Sequence, residues 1–244
     1  MLELAPNDYR ELVEAVARQL APAPSGAGAD RALAAALEAT LLAADATAAG
    51  IDQLCLDAAR SGLAAVCVQP SWVARAVAQL RATPVAVATV IGFPLGANLG
   101  SSKRDEAAAC LALGADELDL VINLGALKSG NEAAVRGEVV AVAALAQAAG
   151  SRLKVIVEMG LMDRGEVARV AAIALEAGAD FLKTGTGFGP RPASAADVAL
   201  LRELAAGRAR IKAAGGIRTR GQALALLAAG ADRIGSSTAA AIVG

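Results

Sequence analysis

The sequence predicts an α/β protein, a (β/α)8 TIM barrel with an extra N-terminal helix. Three observations predict it. Eight short apolar runs alternate with helical stretches, which implies right-handed βαβ units and a parallel sheet. A Gly-Ala-Asp junction occurs three times, at Gly114-Ala115-Asp116, Gly178-Ala179-Asp180 and Gly230-Ala231-Asp232. The length, 244 residues, is usual for one closed barrel.

Residues 7–20 read as an amphipathic helix with Asn7 or Asp8 as N-cap, and residues 21–29 (APAPSGAGA) as a Pro/Gly/Ala linker. The division is therefore 1–29, N-terminal helix and linker, and 30–244, the barrel. The apolar runs lie near 37–41, 64–68, 85–90, 117–123, 153–158, 180–184, 210–213 and 232–235. The glycine of each Gly-Ala-Asp junction can end a helix in the left-handed conformation, with the next strand following at once. With 56% hydrophobic residues but only 2% aromatic, the core must be built from Ala, Val and Leu.

Side chains on a barrel strand alternate between the interior and the helix layer. On the fourth run Leu118, Leu120 and Ile122 share one face, which leaves Asp119 on the interior face. The same parity turns Leu182 and Ile211 outward and Lys183 and Lys212 inward. Two lysines and one aspartate are thus expected inside the barrel near strand C-terminal ends, where barrel active sites sit. Glycine loops follow: Gly185-Thr186-Gly187, Ala214-Gly215-Gly216 and Gly235-Ser236-Ser237-Thr238. Glycine lets backbone N–H groups approach an anion, and the loops after strands seven and eight are the usual barrel phosphate site.

Composition removes other chemistries. The chain has no histidine, so a zinc-dependent aldolase with His ligands, a Ser-His-Asp triad and an imidazole base are excluded. The net charge is −1, with no basic block for nucleic acid. Residues 82–102 carry no charge, but Pro84, Gly92, Pro94, Gly96, Asn98 and Gly100 interrupt them, so a membrane span is not expected. Three widely spaced cysteines and a start without signal-peptide character fit the cytoplasm. Cys67 reads as a small buried hydrophobe, Lys154 as an internal ion-pair partner, and Trp72 and Tyr9 as helix-surface packing. Glu158 reads equally as a site residue or a loop brace, and Lys103 and Arg104 as solvated charges at a helix start.

An amine attacks a carbonyl only when neutral, and at a pKa of about 10.4 roughly one lysine in 2,500 is neutral at pH 7. Bringing that pKa to about 7 takes on the order of 4.6 kcal/mol, from burial and a second cation nearby. Lys183 and Lys212 can supply much of it to each other, and the imine that forms is an electron sink for breaking a carbon–carbon bond. Asp119, with Lys212 or a bound water, fits the proton transfers.

At these residues the sequence resembles the deoxyribose-phosphate aldolase family. AAVCVQPSWV, TVIGFPLGAN, DELDLVINLGALKSG, ADFLKTGTGF, IKAAGGIRT and RIGSSTAAAIV each resemble a family segment, in order, over residues 37–243. The resemblance implies that Lys183 is the Schiff-base lysine, Lys212 the second lysine that tunes it and shuttles protons, and Asp119 the acid/base carboxylate. It places Gly187, Gly215, Gly216, Ser237 and Thr238 in phosphate loops, with Glu38 and Thr186 as accessory positions. It implies reversible cleavage of 2-deoxy-D-ribose 5-phosphate to D-glyceraldehyde 3-phosphate and acetaldehyde, without metal or organic cofactor, by a homo-oligomer, a dimer.

The first strand departs from the family's Ile-Asp-His-Thr-Leu-Leu-Lys-Pro. Here it reads Leu37-Glu38-Ala39-Thr40-Leu41-Leu42-Ala43-Ala44, and Gly185 and Met159 replace the usual Ser and Thr. Two other readings therefore stand beside the first. One is a class I aldolase of the same fold acting on a different aldehyde or sugar phosphate. The other is a catalytically inactive barrel that binds phosphorylated metabolites.

Overall fold

The structure is a computed structural model that describes residues 27–244. Helix α1 (Ala27–Ala34) leads into eight parallel strands: β1 (Leu37–Leu41), β2 (Ala65–Val68), β3 (Ala86–Ile91), β4 (Glu117–Val121), β5 (Arg152–Ile156), β6 (Phe181–Lys183), β7 (Arg210–Ala214) and β8 (Arg233–Ser236). They pair in sequence order, and β8 closes on β1 through Glu38 and Gly235. The connecting helices are α2 (Ala48–Ser61), α3 (Val73–Leu80), α4 (Gly100–Ala112), α5 (Leu124–Lys128), α6 (Glu132–Ala149), α7 (Arg164–Glu176), α8 (Ala195–Ala205), α9 (Arg220–Ala228) and α10 (Ala239–Val243). The closed (β/α)8 barrel is the expected fold. The expected helix over 7–20, with Tyr9, lies outside the described residues. Helix α1 starts within the stretch expected to be linker, with Asp30 in its first turn and Leu33 and Ala34 buried at its end.

Helix starts follow local capping chemistry. Asp163, Ser194 and Thr219 each accept a hydrogen bond from a backbone N–H three residues on, and Glu166, Asp197 and Gln222 return one, forming capping boxes on α7, α8 and α9. The Gly-Ala-Asp junctions do more than end helices. Gly114, Gly178 and Gly230 have positive φ, as expected. The aspartate after each then grips the preceding strand at two points. Asp180 N donates to Leu153 O at 2.9 Å while its Oδ2 accepts from Leu153 N at 2.9 Å. Asp116 does the same to Val87, and Asp232 to Ile211. Each junction therefore also fixes strand register at the N-terminal end of the barrel.

The aliphatic core lies between the strands and the helices. Val66, Val87, Leu118, Leu120, Leu153, Val155, Leu182 and Ile211 point outward into one continuous cluster, each fully or almost fully buried. Each such side chain contributes roughly 1.5–3 kcal/mol. Trp72 packs against this cluster half-buried. Inside the barrel a small apolar cluster, Leu42, Cys67, Ala88 and Val90 with Phe93 against them, stands apart from the buried Phe181, Val121 and Ile156. Charged side chains fill the rest.

Lys103 departs from its expected solvated place. It is fully buried, donating to Val121 O at 2.9 Å and to Glu138 Oε2 at 2.7 Å. Glu138 in turn accepts from Asn123 N at 2.6 Å. The lysine lies on the face of α4 that α6 covers, and its ammonium satisfies a carbonyl just past Asp119 where β4 ends. Its neighbour Arg104 is exposed, as expected, and pairs with Asp105.

Candidate active site

Strand parity and register assemble the site. Lys183 and Lys212 are register partners on β6 and β7, and Asp119 and Lys154 are partners on β4 and β5. All four side chains enter the barrel and are buried, together with Glu38, Glu117 and Arg233. Small residues opposite make the room: a Cβ on Gly235 would lie 3.3 Å from Lys212 Cε.

Asp119 is the hub. Its Oδ2 accepts from Lys183 Nζ and from Lys212 Nζ, each at 2.7 Å, and its Oδ1 accepts from Lys154 Nζ at 2.8 Å. Glu38 Oε2 accepts from Lys212 Nζ, while its Oε1 lies 3.2 Å from Arg233 Nη1 and 3.4 Å from Lys154 Nζ. Below them, Glu117 Oε2 lies 2.5 Å from Lys154 Nζ, and Glu117 Oε1 accepts from Arg152 at 2.7 Å. Phe181 separates this layer from Arg210, whose guanidinium stacks 4.1 Å from the ring centroid.

Burial and charge then part the two lysines. Burial pushes the Lys183 amine below the usual lysine range, and the Lys212 cation adds to this, against the pull of Asp119. Burial acts on Lys212 too, but Asp119 and Glu38 together outweigh it and hold Lys212 above the usual range. Burial opposes the charge of Asp119, yet Lys154, Lys183 and Lys212 keep it well below the usual carboxylate range. Among the buried groups alone, three carboxylates (Glu38, Glu117, Asp119) match Lys154, Lys212 and Arg233 when Lys183 is neutral, with the half-exposed Arg152 outside that count. Of the two amines, Lys183 thus releases its proton more readily, and the neutral form of an amine is the one that can attack a carbonyl.

The ligating atoms of Glu38, Cys67 and Asp119 lie within 4.8 Å of one another. The two carboxylates already face lysines, and burial raises the Cys67 thiol to about 11. A cation there would have to displace ammonium groups, so the donor set does not fit a metal. The low reactivity expected of Cys67 agrees with its burial.

Above the lysines opens a cavity of about 330 Å³. Lys183 and Lys212 line it, as do Thr186, Gly187, Gly215, Gly216 and Ser237. The backbone N–H groups of Gly187, Gly215, Gly216 and Ser237 have no hydrogen-bond partner among the described residues. Gly187 and Gly215 have positive φ and pack backbone on backbone, so a Cβ on Gly215 would come within 3.4 Å of Gly187 Cα. Several unpaired N–H groups around one concavity are suited to an anion. Leu41, Leu42, Ala43, Phe188 and Ile217 give the rest of the cavity an apolar surface.

Asp119 and Glu38 lie beneath this cavity and act on it through the lysines. Thr238 is not part of its lining: its Oγ1 donates to Arg218 O at 3.3 Å and its N–H goes to Ser236 Oγ at 3.1 Å. Thr238, expected among the phosphate-loop positions, thus lies beside the lining, where the turn after β8 uses its hydroxyl and N–H. The hydroxyl of Thr186 is likewise spent, on Glu158. Sequence reasoning passed over Arg218, an exposed cation that lines the cavity two residues after Gly216. It also passed over Glu117 and Arg233, although each stands two residues from an interior position already identified or implied, Asp119 and Gly235.

Residues 31–240 match the family described as DeoC/LacD family aldolase. A deoxyribose-phosphate aldolase of Geobacillus sp. is 45% identical over 207 residues, covering 85% of this chain and 92% of the relative. One from Streptococcus pneumoniae is 47% identical over 208 residues, covering 85% and 93%. Among solved structures, the tetrameric deoxyribose phosphate aldolase of Aeropyrum pernix superposes with a TM-score of 0.84 at 31% identity, covering 98% of this chain and 97% of that one.

Proposed function

Because the chain belongs to the DeoC/LacD aldolase family, we propose that it cleaves 2-deoxy-D-ribose 5-phosphate reversibly to D-glyceraldehyde 3-phosphate and acetaldehyde through a Schiff base on Lys183. The observation that carries this reading is a buried amine of lowered pKa, Lys183, facing a cavity lined by unpaired backbone N–H groups.

In this reading the neutral Lys183 amine adds to the C1 aldehyde of the open-chain sugar. Lys212, held as an ammonium by Asp119 and Glu38, donates the proton with which the carbinolamine hydroxyl leaves as water. In the resulting iminium the C2–C3 bond breaks toward nitrogen as the C3 hydroxyl loses its proton. Glyceraldehyde 3-phosphate departs and leaves an enamine on Lys183. Protonation at C2 and hydrolysis of the imine release acetaldehyde and restore the amine. Asp119, which accepts from both amines at one oxygen, takes the hydroxyl proton together with Lys212 or a bound water. The N–H groups of Gly187, Gly215, Gly216 and Ser237, with the Arg218 guanidinium, take the 5-phosphate. No metal or organic cofactor enters these steps.

The altered first strand favours one second reading. Ala43 lines the cavity where the resembling family has lysine, so an aldehyde with a less polar group remains an alternative substrate. Retention of Lys183, Lys212 and Asp119 in one hydrogen-bonded group weighs against an inactive binding barrel.

Incubation with 2-deoxyribose 5-phosphate and borohydride, followed by peptide mapping, tests the proposal. A reduced adduct on Lys183, absent from Lys183→Met, is expected. A folded protein that forms no adduct with this substrate or with acetaldehyde overturns it. Turnover of phosphorylated against unphosphorylated deoxyribose separates the two substrate readings.

We further infer a homodimer in the cytoplasm. The first rests on family analogy, against which the tetrameric description of the Aeropyrum pernix relative stands as the rival outcome of a light-scattering mass measurement. The second rests on three cysteines that are all buried and free. No described helix is long and apolar enough to cross a membrane.

A further inference from the structure

The loop after β6 presents Gly187 to the cavity, yet its shape is set from behind by a residue outside the site. Glu158, just past β5, has φ 50° and ψ 58°, a left-handed conformation that costs a side-chain-bearing residue energy. Its carboxylate is buried, with 5% of the residue exposed. Glu158 Oε2 accepts from Thr186 N at 3.1 Å and from the Thr186 hydroxyl. Thr186 Oγ1, its one proton given to Glu158, accepts from Phe188 N at 3.0 Å.

This relay uses the N–H groups on both sides of Gly187 and leaves that of Gly187 without a partner among the described residues. The loop wraps the carboxylate closely. A Cβ on Gly185 would come within 2.9 Å of Glu158 Oε1, and one on Gly189 would collide with it. The glycines and the carboxylate therefore fit as one unit, and the strained backbone of Glu158 is what aims the carboxylate into the loop.

We propose that Glu158 is a positioning residue for phosphate recognition: through Thr186 it holds the 185–189 loop so that the Gly187 N–H faces the ligand's phosphate. The claim rests on the phosphate reading of the cavity given above. It separates recognition of the phosphate from the chemistry at Lys183.

The test uses the full chain with Glu158→Gly, which removes the carboxylate while keeping a residue at ease with positive φ, and Thr186→Val, which breaks the relay at its middle. Both variants raise KM for 2-deoxyribose 5-phosphate by about tenfold, the worth of one charge-assisted hydrogen bond. For Glu158→Gly, kcat changes by less than about threefold, and KM for unphosphorylated deoxyribose by less than about twofold. Inorganic phosphate, titrated calorimetrically, weakens by the same factor, and Thr186→Ser restores it. Equal losses on both substrates, or unchanged phosphate binding, overturn the proposal. Borohydride trapping of acetaldehyde on the unmodified protein reports the Schiff base separately. If that trapping fails, the Schiff-base reading fails, while the phosphate titration still decides the role of Glu158.

Discussion

Lys183 and Lys212 stand opposite each other on neighbouring strands and donate to the same oxygen, Asp119 Oδ2, each at 2.7 Å. Two cations sharing one acceptor cannot both be fully stabilised. The lysine with a second carboxylate, Lys212 through Glu38, keeps its proton, and Lys183 gives up its own more readily.

The pH dependence of Schiff-base formation should follow from this pair. The folded pKa of Lys183 is depressed, so its reactive free amine is present above that pKa and lost as pH falls through it. Lys212→Met removes a cation that lowers the Lys183 pKa. Borohydride trapping of acetaldehyde across a pH series should then show its midpoint moved to higher pH. Turnover should fall by about 10²–10⁴-fold, since a proton donor is lost as well. A midpoint that stays in place would show that Lys212 does not tune Lys183.

Acid should weaken the barrel from within. Burial opposes the charge of Glu117, but Lys154 and Arg233 outweigh it and bring its pKa down to about 2 from an ordinary 4.5. A depressed carboxylate contributes stability that is complete above its unfolded pKa and lost as pH falls through the folded one. Urea midpoints should therefore decline as pH falls from about 4.5 toward 2. Glu117→Gln should flatten this decline and, by stranding buried cations, cost about 3–5 kcal/mol at neutral pH.

The buried pair of Lys103 and Glu138 should behave as a unit. Lys103→Met leaves the Glu138 carboxylate without its cation and Val121 O without its donor, at a cost of about 3–5 kcal/mol in urea denaturation. The double variant with Glu138→Leu should recover part of that loss, because no buried charge is stranded, while Asn123 N and Val121 O still lack their partners. A loss under about 1 kcal/mol for Lys103→Met would place this lysine at the surface, where ion pairs are weak.

Asp180→Ala should cost about 1–2 kcal/mol, because Leu153 N loses its acceptor where β5 begins. Hydrogen exchange should quicken at Leu153 more than at Val87, which the separate Asp116 still holds. Uniform quickening along all strands would argue that the Asp180 grip is not local.

How much of this was legible beforehand depended on whether a feature is periodic along the chain. The two-residue alternation of apolar and polar side chains determined that Asp119, Lys183 and Lys212 point inward, since Leu118, Leu120, Leu182 and Ile211 can be buried only against helices. The spacing of runs and Gly-Ala-Asp junctions determined the barrel. Glycines at 187, 215 and 216 marked the loops because few other residues allow such close backbone approach. Tertiary structure decided the rest. Lys103 and Arg104 are adjacent in sequence and look alike as charges, yet one is buried because Glu138, 35 positions later, meets it. Arg233 and Glu38 pair across 195 positions only because β8 closes on β1. Glu158, Arg218 and Thr238 take their places from how separate loops meet at the rim. The chain's local pattern sets which way a side chain points. Which partner it finds depends on barrel closure, and only the closed barrel determines which charges are paired and which amine holds its proton less tightly.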